Sequence, residues 1–331
     1  MEGKETVCAV VVTYNRKKLL LECLDALCKQ TRPVDAIYII DNFSSDGTPE
    51  LLLENGYIDK LPPENLSEPF EMEVTPNDKP KVYYVRMHEN TGGAGGFHEG
   101  VKRGYERGYD WLWLMDDDAE PYLDSLEKLS KYFQMKDVVG LAGKVIRPDN
   151  SIAIYHRGTV DYSKMFPVIQ TPLNLNDYDK DICDIHTASF VGILVKSEAI
   201  SKIGYPIKEY FIHHDDIEYC LRLLQVGKIK LIPQSIILHK EASHQPGRIP
   251  LSKLWLQYYG LRNLISIARK YSTNKLRLYF LIIIYLIRSI LAVIVKDQDK
   301  MRRIYFLIAQ VIDGFMDNFD NEKPKKILGL K

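Results

Sequence analysis

The chain has 331 residues, 46 % of them hydrophobic, with 44 Lys/Arg balancing 44 Asp/Glu. This composition excludes a disordered, collagen-like or disulfide-stapled chain and leaves room for one large folded unit or two. The balance hides an asymmetry, because residues 261–331 carry 14 Lys/Arg against 6 Asp/Glu and the acidic excess lies in the rest.

Residues 7–12 form a continuous apolar run, the pattern of a strand covered on both faces. The run stops at Thr13-Tyr14-Asn15. Asn15 is expected to cap a helix over 16–29, where Leu20, Cys23, Leu24 and Leu27 recur at helical spacing. A second apolar strand, 37–40, ends at Asp41, whose carboxylate can accept a hydrogen bond from a base N–H or a ribose hydroxyl. Asp46-Gly47 reads as turn chemistry, and a short helix follows over 49–55 with proline in its first turn. Residues 56–80 hold five prolines and little periodicity, which predicts a surface excursion.

Strands resume at 82–85, and the segment NTGGAGGFHEG (90–100) opens a helix reaching about Tyr109. Gly92, Gly93, Gly95 and Gly96 exceed what a tight strand–helix turn needs, so they are candidates for close backbone approach to an anionic ligand. The run WLWLM (111–115) is the next buried strand, and Asp116, Asp117 and Asp118 follow it directly. Like charges packed so closely suit a cation, and oxygen ligands suit Mg²⁺ or Mn²⁺ held together with a substrate diphosphate. A solvated acidic turn is the plainer alternative. Strand–helix alternation predicts an α/β fold with a mostly parallel sheet flanked by helices. Asp41, the glycine run and the aspartate triplet then share the carboxyl edge where such sheets bind ligands.

Beyond residue 144 the alternation loosens. A strand is expected at 190–195, helices at 197–203 and 215–226, and short strands at 231–232 and 236–238. In His213-His214-Asp215-Asp216, the acids at a helix start fit either capping and dipole compensation or a general base. His239 fits either a structural role or the nitrogen donor that completes a carboxylate metal site.

The last 70 residues read as mostly helical. Their most apolar stretch, LYFLIIIYLIRSILAVIV (278–295), contains Arg288 and has basic residues on both flanks. A spanning helix, an interfacial or oligomerising helix on an anionic membrane surface, and a buried bundle helix all fit this pattern. The expected division is residues 1–245, with the excursion at 56–80, and a basic helical region, 246–331. Cys8, Cys23, Cys28, Cys183 and Cys220 show no metal-type spacing and read as reduced thiols. The N-terminus lacks the basic segment of a secretory leader, so a cytoplasmic location is expected.

Six stretches together resemble the inverting family 2 glycosyltransferases of the GT-A fold. They are CAVVVTYNR (8–16), YIIDNFSSDGT (38–48), NTGGAGGFHEG (90–100), WLWLMDDDAEP (111–121), ASFVGILVKSEAISKIG (188–204) and YFIHHDDIEYCLR (210–222). The GGAGGF and DDDAEP forms, with HDDIEYCLR and the later His239, resemble most the galactofuranosyltransferase branch, with rhamnosyltransferases next. The resemblance implies a nucleotide pocket lined by Thr13, Tyr14 and Asn15, with Asp41 reading a uracil or thymine ring and Gly92 to Gly96 passing beside the nucleotide-sugar. It further implies a divalent metal, Mn²⁺ or Mg²⁺, on Asp116, Asp118 and His239, and Asp216 as the catalytic base. Asp117 is placed with the donor-binding residues, where a local structural role also suits it. Arg222 would brace the helix through Glu218, at i,i+4 spacing. The proline-rich excursion departs from the family pattern and bears on acceptor access.

The implied activity is metal-dependent, inverting transfer of a sugar to a hydroxyl of a cell-surface glycan or lipid-linked oligosaccharide. UDP-galactofuranose is the preferred donor and dTDP-rhamnose the alternative. The enzyme would sit peripherally at the inner face of the cell membrane, with a possible homo-oligomer through the C-terminal helices and no nucleic-acid partner. A non-catalytic sugar-nucleotide-binding protein is the alternative of another class. A nucleotidyltransferase is disfavoured, for want of a basic phosphate signature near the first strand.

Overall fold

The computed structural model describes residues 5–240 and 251–330. In chain order the first elements are β1 (Val7–Thr13), α1 (Lys17–Cys28), β2 (Ala36–Asp41), α2 (Thr48–Glu54), β3 (Phe70–Val74), β4 (Lys81–Arg86), α3 (Gly92–Glu106) and β5 (Trp111–Asp116). Then come β6 (Ala119–Pro121), α4 (Ser125–Ser130), β7 (Val138–Ile146), β8 (Arg157–Val160), β9 (Gln170–Pro172), β10 (Cys183–Ile185), β11 (Thr187–Ala188) and β12 (Ile193–Lys196). The chain continues with α5 (Ser197–Ile203), α6 (Asp215–Leu223), β13 (Lys228–His239), α7 (Leu251–Tyr271), α8 (Lys275–Lys296), α9 (Lys300–Met316) and α10 (Lys323–Leu328).

The main sheet runs β10-β13-β7-β12-β5-β1-β2-β4-β3, with β6 paired to β13. All seven residues of β1 are buried, as a strand covered on both faces requires. Strands β4, β2, β1 and β5 pair in parallel, where strand–helix alternation predicts it. Their register sets Thr13 opposite Asp41 and Val12 opposite Asp116, which puts the ends of β1, β2 and β5 on one edge. Beyond β5 the sheet is mixed: β12 runs antiparallel between β5 and β7, and β13 is parallel to β7. Strands β11, β8 and β9 form a separate small sheet.

Helix α3 lies on the sheet through glycines four residues apart. A Cβ on Gly96 would meet Val12 Cγ1 at 2.5 Å, one on Gly100 would meet Val10 Cγ1 at 2.3 Å, and one on Gly104 would meet Leu112 Cδ2 at 2.7 Å. The helix can approach β1 and β5 this closely only where no side chain intervenes. Gly100→Ala is expected to overpack that contact and destabilise the fold by about 1–3 kcal/mol, read from chemical denaturation. Denaturation unchanged from the parent would show that the sheet yields to a methyl group.

Three expectations change, and one of the three open readings of the apolar tail falls. Asn15 does not cap α1; it is left-handed (φ 55°) and its Oδ1 accepts from the Ser45 N–H at 2.6 Å, tying the β1 end to the β2 end. The excursion over 56–80 buries Tyr57 and Ile58 and contributes β3 as an antiparallel edge strand on β4. The charges of β3 guard that edge, Glu71 meeting Arg107 at 2.6 Å and Glu73 meeting Lys81 at 2.7 Å. The two short strands near 231–238 are one strand, β13, whose register shifts between Ile232 and Ile236, around Pro233. Finally, α8 is not a buried bundle helix. It buries Leu278 and Ile282 and leaves Leu276, Phe280, Ile283, Ile287, Leu291 and Val295 exposed. It is long and apolar enough to cross a membrane by length and composition.

Candidate active site

Pairing of β6 with β13 sets His239 opposite Ala119, and the Lys240 N–H donates to the Asp118 carbonyl at 2.9 Å. That ladder closes a long sequence separation and brings the His239 ring to the end of β5. His239 Nε2 lies 3.1 Å from Asp118 Oδ1, and one ligand atom from each of Asp116, Asp118 and His239 lies within 4.8 Å of the others. Two carboxylates and an imidazole suit Mn²⁺ or Mg²⁺. The electrostatics ask for a cation as well. Burial, then the neighbouring Asp118 and Asp117, push the Asp116 carboxyl well above the usual range. Burial also pushes Asp117 up to about 6. Burial acts on Asp118 in the same direction, but the hydrogen bond and charge of His239, with Arg16, outweigh it and hold Asp118 below its ordinary value.

Arg16 donates to Asp118 Oδ2 at 2.6 Å and Asp117 Oδ1 at 3.3 Å. It lies in the VVTYNR stretch but sequence reasoning gave it no role. Its charge is the signal, the first of the cations Arg16-Lys17-Lys18 after the strand that pairs with the one ending in three acids. Thr13 is buried and its hydroxyl donates to Asp117 Oδ2 at 2.7 Å, so Thr13 and Asp117 hold one another. Tyr14 is exposed at this edge. His156 packs edge-on against His239 at 4.9 Å between ring centroids and meets Ser189 Oγ at 2.7 Å. Burial and His239 push its pKa down to about 3, so a neutral ring adjoins the cluster.

Asp41 is fully buried. Its Oδ2 accepts from Tyr84 Oη at 2.7 Å and Arg86 Nη1 at 2.6 Å, while Oδ1 accepts from the Ser44 N–H at 2.8 Å. It therefore organises the β2–β4 rim, where Arg86 stacks over the exposed Phe43 ring at 4.9 Å. Asp46 is turn chemistry, accepting from the Lys17 N–H at 3.1 Å and the Thr48 hydroxyl at 2.5 Å.

The glycine run serves the neighbouring loop more than an open anion site. Gly92 has φ +71°, and a Cβ there would lie 2.0 Å from the Phe211 carbonyl oxygen. That oxygen accepts from the Ala94 N–H at 3.0 Å, which occupies a donor at the start of α3. Gly96 is spent on β1, and a Cβ on Gly95 would meet Thr91 Oγ1 at 2.3 Å. Gly93 has open space where its side chain would be, so it is the position in the run with room for a ligand.

The Phe211 loop carries the second acidic pair. Phe211, His213 and His214 all adopt positive φ, at 64°, 70° and 65°. Such conformations in non-glycine residues persist only when the surroundings hold them. Helix α7 does so. Asn263 Nδ2 donates to the carbonyls of Tyr210, Ile212 and His213 at 3.0, 3.1 and 2.8 Å. Arg262 Nη2 donates to the carbonyls of Glu209 and Tyr210 at 3.2 and 3.1 Å, and both side chains are fully buried. Neither was singled out in the sequence. An adjacent Arg-Asn pair inside the largely apolar run YYGLRNLISIA is the signal that marks them.

Asp215 and Asp216 open α6. Asp215 is buried, and burial with the Asp216 charge pushes its carboxyl up to about 8. Asp216 is half-buried, its Oδ1 accepting from the Ile217 N–H at 2.7 Å. Burial raises it to about 6, while the Ile217 bond and the buried Arg157 act to lower it. Both carboxyls are raised by burial, and the Ile217 bond and the Arg157 charge favour the ionised form at Asp216, while the Asp216 charge favours the protonated form at Asp215. An ionised Asp215 would raise Asp116 a little further, so the two acidic groups are near enough to interact. Glu218 pairs with Arg222 at 2.8 Å, as its i,i+4 spacing suggests, and Arg222 also donates to the Ile203 carbonyl at 2.6 Å. The same Glu218 meets Lys270 and Tyr271 of α7, each at 3.1 Å.

Asn263→Ala is expected to strip this donor from the Ile212 and His213 carbonyls, leave Arg262 on that of Tyr210, and let the Phe211 loop shift. Turnover should fall about 10- to 100-fold, as small misplacements near a reacting centre do, with the donor KM little changed. A loss confined to donor KM would put the effect elsewhere.

Comparison with known proteins follows this geometry. The model of Glycosyl transferase family 2 matches residues 8–204, which includes the aspartate triplet and stops short of Asp216 and His239. Galactofuranosyltransferase GlfT1 of Mycolicibacterium smegmatis is 27 % identical over 231 residues, covering 69 % of this chain and 68 % of its own. The dTDP-rhamnosyl transferase RfbF of Shigella flexneri is 22 % identical over 312 residues, covering 92 % of this chain and 94 % of its own. The mannosyltransferase PcManGT from Pyrobaculum calidifontis, solved with GDP-Man and Mn²⁺, superimposes at a TM-score of 0.57 and 15 % identity, over 96 % of this chain and 89 % of that one. At such identity the superposition shows the fold alone. The family match covers more than half of the chain, and the mixed sheet with its helical C-terminal region is the GT-A architecture, so the chain belongs to glycosyl transferase family 2 and is a hexosyltransferase.

Proposed function

We propose that the chain is an inverting glycosyltransferase that moves a hexose from a nucleotide diphosphate to an acceptor hydroxyl, with a divalent ion at Asp116, Asp118 and His239. The observation that carries this reading is the convergence of those three side chains, from β5 and β13, within 4.8 Å at the sheet edge. They fit the ion by donor chemistry and by the acid crowding that a cation relieves. Bound there, Mn²⁺ or Mg²⁺ supplies charge screening for the diphosphate leaving group.

The chain's own residues supply the rest. Asp216, ionised near neutral pH, takes the proton of the acceptor hydroxyl as that oxygen attacks the anomeric carbon. Attack opposite the diphosphate inverts the centre, and no covalent enzyme intermediate is required. Asp215, protonated, can donate a hydrogen bond to the acceptor. Thr13 and Arg16 hold Asp117 and Asp118 in place. Tyr14, Gly93 and the Phe43–Arg86 stack are the groups with room to meet the nucleotide, and Asp41 acts through Arg86.

UDP-galactofuranose is the proposed donor and dTDP-rhamnose the alternative, on the similarity to GlfT1 and RfbF. The acceptor is a cell-surface glycan or a lipid-linked oligosaccharide. The basic, apolar C-terminal helices support a peripheral position at the cytoplasmic membrane face. We treat residues 1–245 as the transferase unit and 246–331 as a region that also braces it, since α7 holds the Asp216 loop. A panel of nucleotide-sugars, assayed for slow donor hydrolysis with Mn²⁺, tests the donor. Hydrolysis of UDP-galactofuranose with dTDP-rhamnose untouched is expected, and the reverse pattern would replace the donor.

A further inference from the structure

One buried cation near the second acidic pair is bonded to neutral groups alone. Arg157, the first residue of β8, is fully buried. Its Nε donates to the Gly143 carbonyl at 2.9 Å and its Nη2 to the Val191 carbonyl at 2.8 Å. Its Nη1 donates to the His156 carbonyl at 2.8 Å and to Ser189 Oγ at 3.4 Å. None of these bonds reaches a carboxylate. Burial pushes the guanidinium down only to about 10, so it stays charged at neutral pH. A buried charge with no counter-charge is costly, and tying strands together does not require one.

The topology says where the counter-charge lies. Pairing of β8 with β11 sets Arg157 opposite Ala188, and the side chains of opposed residues share one face. The backbone of Ala188 meets α6: its N–H donates to Cys220 Sγ at 3.4 Å, and its carbonyl accepts from the same Sγ at 3.3 Å. Cys220 follows Asp216 by four residues, so the two share a face of α6. Three groups have charges that act on Arg157, namely Tyr178, Cys220 and Asp216. Burial raises the Tyr178 phenol and pushes the Cys220 thiol up to about 12, so both stay neutral and Asp216 is the carboxyl that remains.

The other titratable groups around Asp216 offer it no cation. Asp215, beside it on α6, adds a like charge. Glu218 is taken by Arg222 and Lys270. His213 and His214 lead into the helix, and burial pushes both down, His214 to about 4, which favours neutral rings. Asp116, across the site on β5, is another acid.

Resting on the transferase reading above, we infer that Arg157 is a positioning residue for the proton transfer. Its fixed charge, anchored to β7 and to the 189–191 segment, keeps the Asp216 carboxylate ready to take the acceptor's proton. Being fully buried, Arg157 acts through Asp216 and meets neither donor nor acceptor.

Two variants separate charge from scaffolding. Arg157→Gln removes the charge, and Arg157→Lys keeps it without the planar fork. The readout is the pH–rate profile of nucleotide release from UDP-galactofuranose with Mn²⁺. Arg157→Gln is expected to move the acid limb up by about one pH unit, the low end of what an opposite charge does to a carboxyl, and Arg157→Lys to leave it in place. UDP binding with Mn²⁺ should stay near the parental value in both. A purely structural arginine would lower turnover at every pH without moving the limb. That result in Arg157→Gln, or the same shift in both variants, overturns the inference.

Should thermal melts show that neither variant folds, NMR of the parent and of Asp216→Asn gives the answer. Arg157 follows His156 in the single His-Arg step of the sequence, so labelling histidine carbonyls and arginine assigns its Nε signal. That signal is expected to titrate with a midpoint near 6 in the parent and to stay fixed in Asp216→Asn. A signal that is unmoved in the parent, or that moves equally in both, overturns the inference. This titration needs no turnover. A parent that neither binds UDP nor releases nucleotide refutes the transferase reading instead, and the arginine signal still reports whether Arg157 and Asp216 are coupled.

Discussion

Asp216→Asn is expected to lower turnover by about 10²–10⁴-fold, the range for loss of a general base, while UDP binding with Mn²⁺ stays near the parental value. The reason is the division of labour between two adjacent carboxyls. Asp215 is buried and raised the further of the two, to about 8, which favours its protonated form and disfavours it as the proton acceptor. Asp216 is raised only to about 6, and its Oδ1 accepts from the Ile217 N–H, which favours its ionised form. Asp215→Asn should therefore cost much less, since an amide can still donate a hydrogen bond. Equal losses in the two variants would remove Asp216 from the role.

The same raised value fixes a pH dependence and its sign. A carboxyl raised on folding favours the protonated native state. Activity is then lost as pH falls through about 6, while the burden on stability appears as pH rises through the same value. Asp216→Asn should accordingly melt at or above the parent at pH 8. A pH–rate profile with no acid limb near 6 would contradict the assignment.

Asp118→Ala is expected to raise the Mn²⁺ needed for half-maximal activity by about 100-fold or more. Loss of even an outer group behind a metal ligand costs about 10–100-fold, and Asp118 is proposed as a ligand itself. The substitution removes the carboxylate that meets both His239 Nε2 and Arg16. It leaves Asp116 and His239 as the remaining donors of the proposed trio, one carboxylate fewer for a cation that takes oxygen ligands. His239→Ala should follow in the same direction with a smaller effect, because two carboxylates remain. Unchanged Mn²⁺ dependence in Asp118→Ala would move the ion away from the triplet.

The parallel half of the sheet was legible because its strands are covered on both faces and so appear as unbroken apolar runs ending in Thr13, Asp41 and Asp116. His239 was legible as a candidate, but only β6–β13 pairing decides that it meets Asp118 rather than a structural partner. Glycine was the least legible residue. A surplus over turn requirements reads as space for a ligand, yet Gly96, Gly100 and Gly104 make room for β1 and β5, and Gly92 makes room for Phe211. A period of four along a helix is what distinguishes those uses. Asp41 reads as a strand-end acceptor for a base or ribose, because its engagement by Tyr84 and Arg86 is a tertiary event. The bracing of the Asp216 loop by Arg262 and Asn263 joins residues about 50 positions apart, and no local pattern encodes such a pairing. The apolar tail was open among three readings, and its exposed face now sets the buried-bundle reading aside.

The central claim is that one cation-dependent donor site forms at Asp116, Asp118 and His239. Its most direct measurement is nucleotide release from UDP-galactofuranose by the full chain, with Mn²⁺ and then with excess EDTA. Release with Mn²⁺, its loss in EDTA and its recovery when Mn²⁺ is restored are expected. Undiminished release in EDTA would contradict it.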